Sequence, residues 1–280
     1  MDHPELERLR REFGWVCELE PLSINNALLN RNWIVPQSAY SEDQTAWLNE
    51  GGSSGWWYDT RNQIIRQVIG AFGEMNCLWD VGSGPGIVSS YLSQCGFSCI
   101  GIEPSRSGVL VSAERGVTSI ASDFESLQLP SESITCVGLF DVLEHVSDRT
   151  RLLQEIQRTL NKEGILVITV PALTWLWSKA DEDVGHYLRY SRRTIKAELS
   201  QSGFKIQSSR YMFLSLVFPL LILRVIPFRL GFRQPIEDAV LLSKGGGLLS
   251  KLLGRIEKVI CRIAPLGSSL IVVAKKQHNQ

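Results

Sequence analysis

The chain reads as an α/β protein built on a doubly wound, Rossmann-like sheet of seven strands. A helical addition precedes the sheet, and a helical insertion separates its sixth and seventh strands. Three observations predict this. Short apolar runs alternate with segments of helical period, as a parallel sheet with crossover helices requires. The run Leu78-Trp79-Asp80-Val81 leads directly into Gly82-Ser83-Gly84-Pro85-Gly86, a turn whose glycines allow positive φ and close approach of backbone to a ligand. A second apolar run, Ser98 to Ile102, ends in Glu103, 23 positions after Asp80. That is near the spacing of roughly 20 residues at which an acid meets a ribose hydroxyl in nucleotide-binding βαβ units.

Residues 1–60 form the N-terminal addition, a candidate lid. Leu6, Leu9, Arg10 and Phe13 suggest a short amphipathic helix, and Gly51-Gly52-Ser53-Ser54-Gly55 reads as a flexible turn. Trp56-Trp57-Tyr58 then precedes a helix over Arg61 to Phe72, with Ile64, Ile65, Val68 and Ile69 on one face. The core, 61–212, carries strands at Cys77–Val81, Phe97–Ile102, Val117–Ala121, Thr135–Leu139, Gly164–Val170 and Phe204 to about Met212. These runs are nearly continuously apolar, as suits strands covered on both faces. Asp148 to Leu160 spaces Leu152, Leu153, Ile156 and Leu160 for one buried helical face, and Ser191 caps a helix that ends at Gly203.

The insertion, 213–267, is apolar and then basic. Tyr211 to Leu223 is apolar apart from Ser215 and is interrupted by Pro219; it is too short for the roughly 20 residues of a membrane span. Arg224, Arg229 and Arg233 follow. Leu248 to Ile263 is amphipathic, with Leu248, Leu249, Leu252, Leu253, Ile256, Val259, Ile260 and Ile263 opposed to Lys251, Arg255, Lys258 and Arg262. Such a helix suits burial against the core, a second copy in a homodimer, or an anionic membrane surface. A final strand and tail occupy 268–280.

Formal net charge is zero, but from Gly203 onward there are 12 basic and 3 acidic residues. The split points to an anionic partner for the tail. Nucleic acid is disfavoured, because the basic residues are interleaved with apolar ones. The six cysteines include no C-x-x-C pair, so no disulfide framework or metal site is readable and a cytoplasmic setting is expected, with peripheral membrane contact as an extension. The charged N-terminus lacks the apolar core of a signal peptide.

Ile87 stands where the third glycine of a dinucleotide fingerprint would be, which argues against a nicotinamide-dependent oxidoreductase. The order of blocks instead resembles the class I S-adenosylmethionine-dependent methyltransferases, over roughly Arg61 to Phe204 and again at Ser268 to Lys275. Beyond the glycine turn and Glu103, the blocks are Ser122-Asp123-Phe124 and Gly138-Leu139-Phe140-Asp141-Val142-Leu143-Glu144-His145-Val146. The resemblance implies S-adenosylmethionine as cofactor. It places Asp80, Gly82, Ser83, Gly84 and Gly86 at the turn and Glu103 on the ribose hydroxyls. It places Asp123 and Phe124 at the adenine and Asp141 near the methionine moiety.

Pro171 to Tyr190, with Trp177-Ser178, Asp181, Gly185-His186 and Arg189-Tyr190, resembles a bacterial subgroup acting on small-molecule or lipid-type acceptors. His186, His145 and Tyr187 are the catalytic candidates, since imidazole accepts a proton near neutral pH. Arg189, Trp57 and Tyr58 are the substrate-side candidates, Arg189 because a guanidinium holds an anion bidentately. The expected activity is methyl transfer to an O, N or C nucleophile of a small or lipid-like acceptor. A protein that binds the cofactor without methylating, docked at membranes by its C-terminal helix, is the alternative.

Overall fold

A computed structural model describes residues 4–13, 19–22, 27–30, 55–73, 77–232 and 248–277. Gly51 to Ser54, Arg233 and both termini, which the sequence reading includes, lie outside the described residues. The strands are β1 (Leu19–Pro21), β2 (Ala27–Asn30), β3 (Leu78–Val81), β4 (Cys99–Glu103), β5 (Thr118–Ala121), β6 (Ile134–Phe140), β7 (Leu160–Pro171), β8 (Phe204–Met212) and β9 (Ser269–Lys276). They form one nine-stranded sheet in the order β1-β2-β5-β4-β3-β6-β7-β9-β8. Neighbours from β2 through β7 run parallel. Strand β9 enters antiparallel between β7 and β8. The order reverses at β3 and β6, which opens the crevice where α/β folds bind ligands.

Seven of these strands are those read from the sequence. The other two correct the expectation of a purely helical N-terminal addition. Strand β2 extends the sheet beside β5, with Leu28 opposite Ile120, and β1 pairs back on it. The Asn30 side-chain amide fastens this edge by donating to Ser122 Oγ at 3.0 Å and to the Ser126 carbonyl at 3.1 Å.

The helices are α1 (Pro4–Phe13), α2 (Trp56–Gly70), α3 (Ile87–Gln94), α4 (Arg106–Glu114), α5 (Arg149–Thr159), α6 (Lys179–Asp183), α7 (Arg192–Gln201), α8 (Val217–Leu220), α9 (Ile226–Arg229) and α10 (Leu248–Ile260). A π-helical segment, Leu221–Val225, joins α8 to α9. Helix α2 begins five residues before its expected start, so the aromatic cluster lies within it. Gly55, at φ 144°, precedes its first turn, which contains Asp59.

Alternate strand residues feed two cores. Trp79, Val137 and Leu166 pack on one face with Leu152, Leu153 and Ile156 of α5. Leu78, Cys136 and Ile165 pack on the other with Ile64, Ile65 and Val68 of α2. Cys99 and Cys136 are buried in the second core and Cys77 in the first, small hydrophobes in effect.

Helix α10 lies against α2, but not through the face its sequence advertises. It buries Gly254, Glu257 and Cys261, and leaves Leu252, Ile256, Val259 and Ile263 exposed. The approach is close enough that a Cβ on Gly254 would come within 2.5 Å of Thr60 Oγ1. Glu257 accepts from the backbone N–H groups of Leu214 and Ser215 at 3.2 and 2.8 Å, pinning the start of the insertion.

Candidate active site

The crevice opens at the carboxyl ends of the parallel strands. Strand β3 passes into a turn in which Gly82, Gly84 and Gly86 all have positive φ (71°, 53° and 71°). Gly86 permits close packing of α3, since a Cβ there would lie 2.2 Å from Ser112 Oγ. Glu103, at the end of β4, orders this turn from the side. Its carboxylate accepts from the Gly84 N–H at 2.9 Å and the Ser105 N–H at 2.8 Å. Asp80 is buried and accepts from Ser89 Oγ at 2.5 Å, tying β3 to α3.

A cleft of about 330 Å³ lies beside the turn and includes Ile102, Asp123, Val142 and Asp148 in its lining. Asp123 uses one oxygen to cap a 3₁₀ turn through the Ser126 N–H at 2.7 Å. Phe124 borders the cleft, but its ring is buried in the core.

Burial pushes Asp80 up to about 7, against the hydrogen bond from Ser89. It also raises Glu103, against its two backbone donors, and Glu144 well above the usual carboxylate range. In the unfolded chain these groups lose their protons near pH 4. Between about pH 4 and 7 the unfolded state therefore binds fewer protons than the folded one, and stability falls as pH rises. The urea midpoint of the ligand-free protein is expected to drop from pH 5 to pH 8, with Asp80→Asn flattening the decline. A wild-type midpoint that rises over this range would contradict the assignment.

The second half of the site lies past β6. Asp141 follows that strand in a left-handed conformation (φ 59°), uncommon for a residue with a side chain. Its N–H donates to the Thr169 carbonyl at 2.9 Å, and its carboxylate accepts from Arg61 Nη1 at 2.6 Å. Leu173 and Phe213, just beyond β7 and β8, share this left-handed backbone (φ 64° and 60°). Three strand exits along one edge are thus held in costly conformations, as is common where a site is pre-shaped. Trp57 stacks on Phe213 at 5.5 Å, and the Arg61 guanidinium lies 5.0 Å over the Trp57 ring. Tyr58 packs edge-on to Trp57, and burial raises its phenol.

His145 and His186 meet edge to face with ring centroids 4.7 Å apart. His186 Nδ1 lies 2.9 Å from Asp181 Oδ1. A carboxylate only accepts, so Nδ1 carries the hydrogen and Nε2 points inward, 4.0 Å from Glu144 Oε1. The same Asp181 oxygen accepts from Arg189 Nε at 2.7 Å. Burial alone would raise Asp181, but His186 and Arg189 outweigh it and hold the carboxyl below its usual range. Burial and the neighbouring His186 lower His145.

The structure therefore gathers His145 and His186 from the catalytic candidates. Tyr187 joins them through its backbone N–H, 2.7 Å from the Glu144 carbonyl, while its side chain is 62% exposed. Arg189 is buried and committed to Asp181 and the Ala172 carbonyl, so it acts as a brace within this loop. Arg61, Asp181 and Glu144 are the participants the sequence reading left without a role. A signal for Asp181 was present in Ser178-Lys179-Ala180-Asp181, which forms a capping box at α6.

Sheet order, glycine turn and terminal acid together define a class I nucleotide-cofactor fold. A family profile described as "Methyltransferase domain" matches residues 54–209, more than half of the chain. The chain belongs to this methyltransferase family, whose cofactor is S-adenosylmethionine. It is 29% identical over 117 residues to an uncharacterized methyltransferase of Mycolicibacterium vanbaalenii, a match covering 40% of this chain and 45% of that protein. It is 28% identical over 111 residues to a ubiquinone biosynthesis O-methyltransferase of Bradyrhizobium diazoefficiens, covering 36% and 44%. The matches thus span less than half the length of these curated relatives. In three dimensions it resembles phosphoethanolamine N-methyltransferase 2 of Haemonchus contortus in complex with S-adenosyl-L-methionine. That likeness has a TM-score of 0.54 at 18% identity and covers 86% of this chain and 59% of the other.

The residues fit the cofactor. The turn has no side chain at Gly84, where a Cβ would meet nothing within 4 Å. Asp123 lines the cleft, and Glu103 lies between two of its lining residues, Ile102 and Pro104; carboxylates accept from hydroxyl and amino donors.

Proposed function

We propose that this protein transfers the methyl group of S-adenosylmethionine to a nucleophilic O, N or C atom of a small, lipid-like acceptor. The observation that carries the reading is the Glu144–His145–His186 cluster, in which buried Glu144 and half-buried His145 follow Asp141 by three and four residues and feel its charge. In this reading Glu103 takes the ribose hydroxyls, Asp123 accepts from the adenine amino group, and Asp141, braced by Arg61, borders the methionine end. The cofactor supplies an activated methyl on a sulfonium. The protein's part is alignment, worth roughly 7–11 kcal/mol in favourable cases, and removal of the acceptor's proton. Trp57 and Tyr58 would wall the acceptor pocket, with Asp181 and Arg189 holding the His186 ring at its angle.

A lipid-like acceptor is favoured by the insertion. Its exposed surface carries Phe218, Ile222, Ile226, Leu252, Ile256, Val259 and Ile263. Lys251 and Arg255 on α10, and Arg262 just after it, are exposed among them. Among the described residues no helix is long and apolar enough to cross a membrane. Apolar rows edged with arginine and lysine suit the surface of an anionic bilayer. Reversing the charge at Lys251, Arg255 and Arg262 is expected to lower affinity for vesicles containing phosphatidylserine by at least tenfold. Lys258 is left intact because it donates to Gln63. Unaltered vesicle binding would reject the electrostatic contact.

The direct test is to incubate the protein with methyl-labelled S-adenosylmethionine and a lysate of the source organism, then partition the products. Label in the solvent-extractable fraction supports the reading. Label confined to precipitated protein or nucleic acid overturns the acceptor class. Cofactor binding without any label would favour a non-methylating role on the same fold.

A further inference from the structure

Glu144 is the least expected side chain in the molecule. Its carboxylate is completely buried, and neither oxygen accepts a well-formed hydrogen bond. A buried carboxylate left without partners costs several kcal/mol, so such groups are normally paired or bound to a metal. The neighbouring acids are already matched, Asp141 with Arg61 at 2.6 Å and Asp181 with Arg189 at 2.7 Å. That leaves Glu144 as the one carboxylate of this cluster, among the described residues, that forms no ion pair with an arginine.

What surrounds it is a ligand set. One donor atom each from Glu144, His145 and His186 lie within 4.8 Å of one another. Donors bound to a single cation at about 2.1 Å sit about 3–3.5 Å apart, so the cluster needs to close by roughly 1 Å. His186 is already prepared as ligating histidines are, because Asp181 fixes Nδ1 as the protonated nitrogen and turns Nε2 inward. Arg189 in turn fixes Asp181.

We propose that Glu144, His145 and His186 bind a first-row divalent transition metal ion, with its open positions directed to the oxygen of a hydroxyl-bearing acceptor. Two imidazoles and one carboxylate favour zinc, iron, cobalt or manganese over magnesium or calcium, which prefer all-oxygen shells. The proposal rests on the methyl-transfer reading and narrows its acceptor to an oxygen nucleophile. Coordination lowers the pKa of a bound hydroxyl, so its proton leaves to solvent without a strong protein base. The oxygen lone pair forms the C–O bond, and the S–CH₃ bond breaks with its electron pair kept on sulfur. S-adenosylhomocysteine and a methyl ether are the products.

The test uses the full chain without a histidine tag, stripped with chelator and titrated with Co²⁺ alone. Calorimetry and visible absorption are read together. One equivalent should bind with a dissociation constant in the micromolar range or below, with d–d bands showing nitrogen and oxygen ligation. Glu144→Gln, nearly isosteric, should weaken binding at least 100-fold. Asp181→Asn, acting through His186, should weaken it about 10–100-fold. S-adenosylmethionine affinity, measured on the same samples, should stay within threefold and also reports that each variant is folded. Failure of the wild type to bind Co²⁺, or an unchanged constant in Glu144→Gln, overturns the metal site. Those results leave the methyltransferase reading standing if the cofactor still binds. Metal binding without cofactor binding would do the reverse.

Discussion

Gly84→Arg is expected to lower affinity for S-adenosylmethionine at least 100-fold while leaving the protein folded. The position combines two properties found nowhere else in the turn. A Cβ on Gly84 would meet nothing within 4 Å, whereas one on Gly82 would strike Val142 at 2.7 Å and one on Gly86 would strike Ser112. A side chain at 84 therefore enters open space and need not disrupt the core. The backbone cost is that of a left-handed residue at φ 53°, about 1–2 kcal/mol, or a few degrees in the melting midpoint. The functional cost is larger. The Gly84 N–H is held by Glu103, so an arginine there would carry its charge beside the carboxylate that we propose takes the ribose hydroxyls. Isothermal titration of wild type and variant, with a thermal melt of each, separates the two effects. Affinity within threefold of wild type would remove the turn from the cofactor site.

His186→Ala is expected to reduce kcat by about 10²–10⁴, the range for losing a group that removes the acceptor proton, either by taking it or by holding the metal that releases it. Cofactor affinity should be nearly unchanged. His186 Nε2 lies on the Glu144 side of the loop, while the glycine turn, Glu103 and Asp123 are carried by other elements. The substitution also removes one of the two side chains that donate to Asp181 Oδ1 and leaves Arg189 as the other, so the loop should stay in place. Single-turnover methyl transfer with calorimetry of the cofactor reads both quantities. Turnover near wild type would show that His186 takes no part in the chemistry.

The central strands were legible because each is a short, nearly continuous apolar run bounded by turn residues. Burial on both faces leaves no alternative for such a run. Strands β1 and β2 were not: Leu19-Glu20-Pro21 carries a charge and a proline, and Ala27-Leu28-Leu29-Asn30 suits a helical turn as well as a strand. Their register comes from β5 and from Asn30, which no local pattern reveals. Helix α10 shows a different limit. Its sequence displays a row of leucine and isoleucine, yet contact with α2 is made through Gly254, because Thr60 leaves space for nothing larger. Tertiary closeness, not hydrophobicity, chose the buried face.

The same division runs through the site. Asp80, Glu103 and the glycines follow from strand-to-helix chemistry that is local in sequence. The pairing of Arg61 with Asp141 spans 80 positions and exists only once α2 lies under the exit of β6. Arg189 looked like an anion binder from its loop. In three dimensions its charge is spent on Asp181, which also holds His186.

The placement of β9 also bears on how the protein is made. Among the described residues, strand β8 has no sheet neighbour other than β9, and β7 has none on that side until β9 arrives. A nascent chain that has emerged only as far as the insertion therefore carries a sheet interrupted at β7, with β8 tethered beside it but unpaired. The gap closes when Ser269–Lys276 leaves the ribosome and threads between two strands already synthesised. Until then a long apolar edge stands open to other chains. Translation rate through residues 213–268, and chaperone supply during it, should therefore govern soluble yield more strongly than the thermodynamic stability of the finished fold.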